Sequence, residues 1–342
     1  MGWKILLPQE IMEEGRDYLE SRGHELITGS GMETEDIIRD IKGIDAMVVR
    51  LSKITREVFE AADNLKVIVR HGAGFDTVDL EAAKDHGVQV LYCPTANSTS
   101  VAETAVFYML YCSRNFTKVQ DTFIEDYYKA KLRTPKCELD GKTVGIIGCG
   151  NIGSRVAEKC RDAFHMKVLA YDPYKPAKDF PEGVEVVRDI NRIFKESDFV
   201  SMHCPTTTVT KEFVGKEQFE MMKPTAFFIN TARGMVVNEK ELYEACKNNV
   251  IAAAGLDVLQ KEPMDQDNPI LYLDNVVVAP HIGAATVEAT NRASLHSAMG
   301  IVEVAEGKEP TWPVKAIDWD SATIYTDLKE EEPACQLETV SI

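Results

Sequence analysis

Between residues 143 and 172 the chain reads strand, glycine-rich turn, helix, strand. Thr143–Ile147 is a short apolar run, followed by Gly148-Cys149-Gly150-Asn151-Ile152-Gly153, an amphipathic stretch to Phe164, and a second apolar run, Lys167–Tyr171, ending at Asp172. G-x-G-x-x-G alone is a weak signal, but between a strand and a helix it has a mechanism. Gly148 permits a tight turn, Gly150 lets a pyrophosphate approach the backbone, and Gly153 allows close helix–strand packing. Asn151 and Ile152 open the helix, whose free N–H groups and dipole favour phosphate. A carboxylate at the end of the second strand can accept hydrogen bonds from an adenosine ribose and would repel a 2′-phosphate. Asp172 therefore predicts NAD in preference to NADP, with Lys175 nearby as a contrary charge.

The rest of the chain repeats the strand–helix rhythm. Trp3–Leu7, Ala46–Val49, Val67–Val69 and Val88–Tyr92 are apolar runs separated by helical patterns, which predicts a parallel α/β domain of about five strands. Further strands are expected at Phe199–His203, Ala226–Asn230, Ala252–Asp257 and Val276–Val278. A last helix should run from about Thr286 to Glu306 and stop at Gly307. A long apolar helix should start near Ser98, with Ser100-Val101-Ala102-Glu103 as its capping box. The polar stretch Thr117–Asp140 reads as a lead into the second block. With 342 residues, about two domains are expected. The predicted architecture is α/β: a Rossmann-type dinucleotide-binding domain, residues 101–286, inserted in a flavodoxin-like substrate domain made of 1–100 and 287–342.

Composition narrows the function. The 38 Lys and Arg against 55 Asp and Glu give a formal charge of −17, which argues against a broad nucleic-acid or anionic-membrane surface. No apolar run approaches the roughly 18 residues of a membrane span, and the first residues do not read as a signal peptide. Eight scattered cysteines (93, 112, 137, 149, 160, 204, 246 and 335) include no C-x-x-C pair. They read as reduced core thiols of a cytoplasmic protein, with no metal site expected. The tail from Asp318 is acidic and reads as a solvated or partner-packed extension.

Three later strands end in polar groups. Asn230-Thr231-Ala232-Arg233-Gly234 follows Ala226–Ile229, Asp257 leads to Glu262-Pro263, and Val276–Val278 runs into Pro280-His281-Ile282-Gly283. In open α/β sheets, ligands bind at the carboxyl ends of strands. An Arg, a Glu and a His there suggest an anion clamp with a proton carrier, although each alone could be a structural ion pair or turn residue.

Taken in order with the glycine motif and Asp172, these segments resemble the D-isomer-specific 2-hydroxyacid dehydrogenases over about residues 1–315. The resemblance implies an NAD-dependent enzyme moving a hydride between nicotinamide and C2 of a small 2-hydroxy or 2-oxo acid. It implies Arg233, Glu262 and His281 as catalytic residues. Arg233 would grip the substrate carboxylate and His281 would carry the proton. Glu262 would hold the other imidazole nitrogen and favour the imidazolium. Asp257, Thr231, Ala232, Arg233, His281 and Gly283 would lie toward the nicotinamide, and Cys204-Pro205 over the adenosine, with Cys204 a small apolar contact.

The resemblance also implies a substrate-binding loop, Arg70-His71-Gly72-Ala73-Gly74, with main-chain N–H groups of Ala73 and Gly74 for the carboxylate. Arg50 and Arg70 look like the pair beside the substrate phosphate in D-3-phosphoglycerate dehydrogenases, though either could be a surface ion pair. Candidate substrates are 3-phosphoglycerate, hydroxypyruvate or glyoxylate, and larger 2-oxo acids. A homodimer is implied. The stretch before Leu139-Asp140-Gly141-Lys142 lacks the usual Trp and Gly, which alters a loop near the expected dimer boundary. No appended regulatory domain is seen, so serine feedback is not expected. The same fold and Arg–Glu–His set occur in NAD(H)-sensing corepressors of the C-terminal binding protein type, which is the alternative reading.

Overall fold

Strands β1 (Lys4–Leu7), β2 (Glu25–Thr28), β3 (Ala46–Val49), β4 (Val67–Arg70) and β5 (Gln89–Tyr92) form one sheet in the order β2-β1-β3-β4-β5. Every pairing is parallel, because each strand is joined to the next by a helical crossover. This is the flavodoxin-like order, with a switch point between β1 and β3. The computed structural model describes residues 2–315 and 324–325. The chain divides into two compact units, one made of Met1–Ser100 with Ala284–Ile317 and one built on Val101–Gly283.

The second unit holds β6 (Thr143–Ile147), β7 (Lys167–Tyr171), β8 (Glu185–Val186), β9 (Phe199–Met202), β10 (Phe227–Asn230), β11 (Ala253–Leu256) and β12 (Val276–Val278). They form an all-parallel sheet ordered β12-β11-β10-β9-β6-β7-β8. The chain reverses direction of growth between β6 and β9, as in a Rossmann sheet. The two-domain α/β architecture expected from sequence is therefore present.

Both sheets are covered on both faces, which is why their strands read as continuous apolar runs rather than alternating ones. Successive side chains still go to opposite sides. In β4, Val67 and Val69 join one core cluster and Ile68 another. In β9, Val200 and Met202 pack on one face and Phe199 on the other. Each fully buried side chain of this size contributes roughly 1.5–3 kcal/mol.

Two expectations need correction. The long helix runs Ser98–Ser113, so Ser100 already lies inside its first turn and forms no capping box. Its Oγ instead meets Thr286 Oγ1 at 2.7 Å, and Glu103 pairs with Lys159. The stretch after it is not a plain lead: it folds into helices Phe116–Glu125 and Tyr127–Leu132, with Asp126 capping the second through the Lys129 N–H (2.9 Å). The last helix is Val287–Ala305, capped by Thr286 and ended by Gly307 at φ +72°. Apart from Ile324 and Tyr325, the acidic tail lies outside the described residues. The Tyr325 N–H donates to the Pro173 carbonyl (2.8 Å).

Candidate active site

The glycine-rich turn is built by close backbone approach. Gly148 adopts φ +87°, and a Cβ there would lie 2.7 Å from the Cys204 nitrogen. The ends of β6 and β9, the two strands at the switch point, are thus in direct contact. A Cβ at Gly153 would overlap the Gly148 carbonyl, so helix Asn151–Phe164 packs tightly on the turn. Gly150 is different: a Cβ there would meet nothing within 4 Å. The backbone of Gly150, followed by the helix N-terminus at Asn151 and Ile152, is open to a ligand.

Asp172 closes this turn from β7. Its Oδ2 accepts from the Cys149 N–H (3.0 Å) and its Oδ1 from the Tyr174 N–H (3.1 Å). Each oxygen keeps a further lone pair for a hydroxyl. The Lys175 amine lies close by, donating to the Cys149 carbonyl (2.7 Å) and Ser154 Oγ (3.3 Å). Arg188, which no motif announced, donates to the carbonyls of Asp172 (2.7 Å) and Lys175 (3.1 Å) and so fixes the turn after β7. Burial pushes the Cys204 thiol up to about 12, which keeps it a protonated, unreactive contact beside Pro205.

Arg233, Glu262 and His281 are brought together by three loops, those that follow β10, β11 and β12. Asn230, at the end of β10, turns the chain back on itself: its side chain accepts from the Ala232 N–H (3.0 Å) and donates to the Arg233 carbonyl (2.9 Å). Gly234 lies against the Leu259 carbonyl, where a Cβ would not fit. That contact joins the Arg233 loop to the loop carrying Glu262. Gln260 adds two ties, donating to Glu239 Oε2 and to the Val237 carbonyl, both at 2.8 Å.

Glu262 Oε2 lies 2.8 Å from His281 Nδ1, and Glu262 Oε1 accepts from the Leu259 N–H (3.2 Å). Burial alone would raise the Glu262 carboxyl. The hydrogen bond and charge of His281, the Leu259 N–H and the Arg233 charge outweigh it and hold the carboxyl below its usual range. His281 itself has φ +53°, an uncommon conformation for a residue with a side chain.

Asp257 holds that conformation in place. Its carbonyl accepts from the His281 N–H (2.8 Å). Its carboxylate accepts from the N–H groups of Ile282 (3.0 Å) and Gly283 (2.8 Å). Burial pushes its carboxyl up against the lowering effect of those two bonds. Sequence reasoning gave Asp257 only a cofactor contact, and its grip on the His281 loop emerges from the fold. The buried hydroxyls of Thr231 and Thr206 have no hydrogen-bond partner, so polar atoms on this side can receive a ligand. Together with open Gly150, they fit a dinucleotide. Among the described residues, no group of His, Cys, Asp or Glu could hold a metal ion.

In the first unit, Arg50 follows β3 and Arg70 ends the neighbouring β4, with Val49 opposite Arg70 in the register. The Gln9 side chain accepts from the N–H groups of Arg50 and Leu51 (3.1 Å each), and the Arg50 guanidinium donates to the Glu10 carbonyl (2.7 Å). The Arg70 guanidinium donates to the His71 carbonyl (2.6 Å). Both charges act on the His71 ring, so they share one neighbourhood. Ala73 and Gly74 follow on a half-buried loop.

Residues 106–283 match the family model described as D-isomer specific 2-hydroxyacid dehydrogenase, NAD binding domain. The chain is 42% identical over 308 residues to D-3-phosphoglycerate dehydrogenase of Methanocaldococcus jannaschii, a match covering 89% of this chain and 58% of that protein. It is thus similar to a little over half the length of that relative. It is 40% identical over 296 residues to hydroxypyruvate reductase of Thermotoga maritima, covering 86% of this chain and 95% of that one. Among solved structures, it superposes on NAD+-bound 3-phosphoglycerate dehydrogenase of Entamoeba histolytica with a TM-score of 0.78. That match has 28% identity and covers 92% of this chain and 99% of the other. The chain belongs to the D-isomer-specific 2-hydroxyacid dehydrogenase family.

Proposed function

We propose that this chain is an NAD-dependent D-2-hydroxyacid dehydrogenase working on a small 2-oxo or 2-hydroxy acid, with 3-phosphoglycerate or hydroxypyruvate and glyoxylate as the first candidates. The observation that carries the reading is the 2.8 Å pairing of His281 Nδ1 with Glu262, beside the charge of Arg233. With Nδ1 engaged, Nε2 is the ring atom that can give a proton to a carbonyl oxygen during reduction and take it back during oxidation. Arg233 binds the substrate carboxylate and polarises the carbonyl with its planar fork. The bound nicotinamide supplies or accepts the hydride.

The NAD-binding unit is assigned to Val101–Gly283 and the substrate-binding unit to 2–100 with 284–315. Gly148, Gly150, Asn151, Ile152 and Gly153 hold the pyrophosphate, and Asp172 holds the ribose, with Cys204 and Pro205 on the adenosine side. Thr231, Ala232, Asp257 and Gly283 serve the nicotinamide end. Arg50, Arg70, Ala73 and Gly74 receive the substrate anion. The shared neighbourhood of the two arginines supports a second anionic group on the substrate. The corepressor-like reading gains nothing from the relatives, whose names are those of dehydrogenases and reductases.

The protein is also assigned as a homodimer. Helices Phe116–Glu125 and Tyr127–Leu132 expose Phe123, Ile124, Tyr127, Tyr128 and Leu132, an apolar surface larger than scattered single residues. No helix among the described residues is long and apolar enough to cross a membrane. The cytoplasmic assignment is supported by the described cysteines, which are free thiols.

The test is NADH oxidation over glyoxylate, hydroxypyruvate, phosphohydroxypyruvate and pyruvate, with wild type and Glu262→Gln. Turnover of at least one acid, reduced about 100-fold or more in the variant, is expected. No turnover of any acid by the wild type overturns the assignment.

A further inference from the structure

The loop after β4 is anchored by a buried imidazole that the reaction itself does not use. The His71 N–H donates to the Val49 carbonyl and the Gly72 N–H to the Arg70 carbonyl, both at 2.8 Å. The Gly72 carbonyl accepts from the Cys93 N–H (2.8 Å), and Gly72 has φ +153°. The backbone therefore turns sharply at His71 before presenting Ala73 and Gly74. At such a turn an outward-facing side chain would be ordinary, yet His71 is only 8% exposed.

Its ring is held by the helix Val287–Ala305. His71 Nε2 lies 2.8 Å from Ser294 Oγ, and the backbone of Thr290, one turn earlier, lies near enough to favour the protonated ring against burial. Ser294 is fully buried, and its Oγ accepts from the Met12 N–H (3.0 Å). Gly15 lies against it so closely that a Cβ would sit 2.6 Å from the Ser294 carbonyl oxygen. One turn later, Ser297 Oγ is 3.4 Å from Sγ of Cys93, the residue whose N–H holds Gly72. Burial, with the charges of Arg50 and Arg70, pushes the imidazole down to about 4. At neutral pH one ring nitrogen thus donates and the other accepts, which suits a fixed polar anchor.

We propose that His71, locked by Ser294, is a positioning residue that fixes the backbone of residues 72–74 for the substrate carboxylate and, through its own carbonyl, the guanidinium of Arg70. This rests on the 2-oxo acid reading above. Main-chain donors bind a carboxylate well only when they need no rearrangement, so loosening the anchor should weaken acid binding and leave the cofactor untouched. A merely structural histidine would show no such selectivity.

The experiment compares wild type with Ser294→Ala, His71→Leu and His71→Gln. It measures KM for the best 2-oxo acid, kcat, the NADH Kd by fluorescence, and hydrogen exchange in peptides spanning residues 70–76. Ser294→Ala removes one oxygen and is the mildest change. We expect it and His71→Leu to raise the acid KM about tenfold, since a buried polar group loses its partner. The NADH Kd and kcat should stay within about twofold, and His71→Gln, which keeps a donor and an acceptor, should recover most of the KM. Unchanged acid KM in both variants overturns the proposal. So does a joint loss of acid binding, NADH binding and melting temperature, which is general damage. If the wild type turns over no 2-oxo acid, the functional reading fails separately. The anchor is then judged on exchange: faster exchange of the 70–76 peptides in Ser294→Ala supports it, and unchanged exchange rejects it.

Discussion

Gly234 lies so close to the Leu259 carbonyl that no side chain fits between them. With the two ties of Gln260, this approach joins the Arg233 loop to the Glu262 loop, although Gly234 and Leu259 are far apart in sequence. Gly234→Ala should therefore separate the two loops. We expect a fall in kcat of about 100-fold and a stability loss of roughly 2–4 kcal/mol, as for other backbone clashes in a packed core. Steady-state kinetics and thermal melting check both. A variant with wild-type kcat would show that the loop contact does not set the Arg233–Glu262 geometry.

The second and third glycines of the phosphate turn should respond oppositely. A Cβ at Gly150 meets nothing, whereas at Gly153 it overlaps the Gly148 carbonyl. Gly150→Ala should melt like the wild type but bind NADH about tenfold or more weakly, because the methyl intrudes where a pyrophosphate meets the backbone. Gly153→Ala should lose stability even without cofactor. Calorimetry with and without NADH separates these outcomes, and equal melting losses in both variants would contradict them.

Asp172 sits with the Lys175 amine close to the same turn. Asp172→Ala removes the carboxylate that repels a 2′-phosphate and leaves the lysine charge. The ratio of kcat/KM for NADH to that for NADPH should fall by about tenfold or more. A wild-type ratio in the variant would mean that Asp172 does not select the cofactor.

His203 is half-buried just after β9, its Nε2 2.8 Å from Ser201 Oγ, and desolvation of the ring pushes it down to about 3. Below about pH 6.5 the unfolded chain binds a proton that the folded one refuses, so stability is full above that pH and declines as pH falls toward 3. His71, pushed down to about 4, adds to the same trend over the range from 6.5 to 4. His203→Gln should flatten the melting temperature between roughly pH 7 and pH 5 relative to wild type. An unchanged slope would remove His203 from the cause.

Much of the fold was readable because covered parallel strands are unbroken apolar runs. β6, β7 and β12 fall where those runs stand, and Gly307 ends the last helix as expected. β2 was harder: Glu25–Thr28 is an edge strand with no buried residue, so burial left little pattern in it. The helix Phe116–Glu125 also buries no residue, and its apolar side chains face outward instead of forming a core stripe. Ser100 failed as a cap because helix Ser98–Ser113 begins earlier and the hydroxyl meets Thr286.

At the site, residue types at strand ends pointed to Arg233, Glu262 and His281, but not to their supports. Asn230, Gly234 and Asp257 act through loop geometry that no local pattern announces, and Arg188 and Ser294 meet their partners only after folding. The pairing of Glu262 with His281 depends on where two loops end, so it becomes visible only in three dimensions.

The decisive measurement is the pre-steady-state rate of NADH oxidation by saturating 2-oxo acid in wild type and in His281→Ala, with NADH binding confirmed in both. If His281 delivers the proton, the variant binds NADH normally and loses about 100- to 10,000-fold in the chemical step. A rate close to wild type in His281→Ala would contradict that role and, with it, the assignment of the Arg233, Glu262 and His281 cluster as the reaction centre.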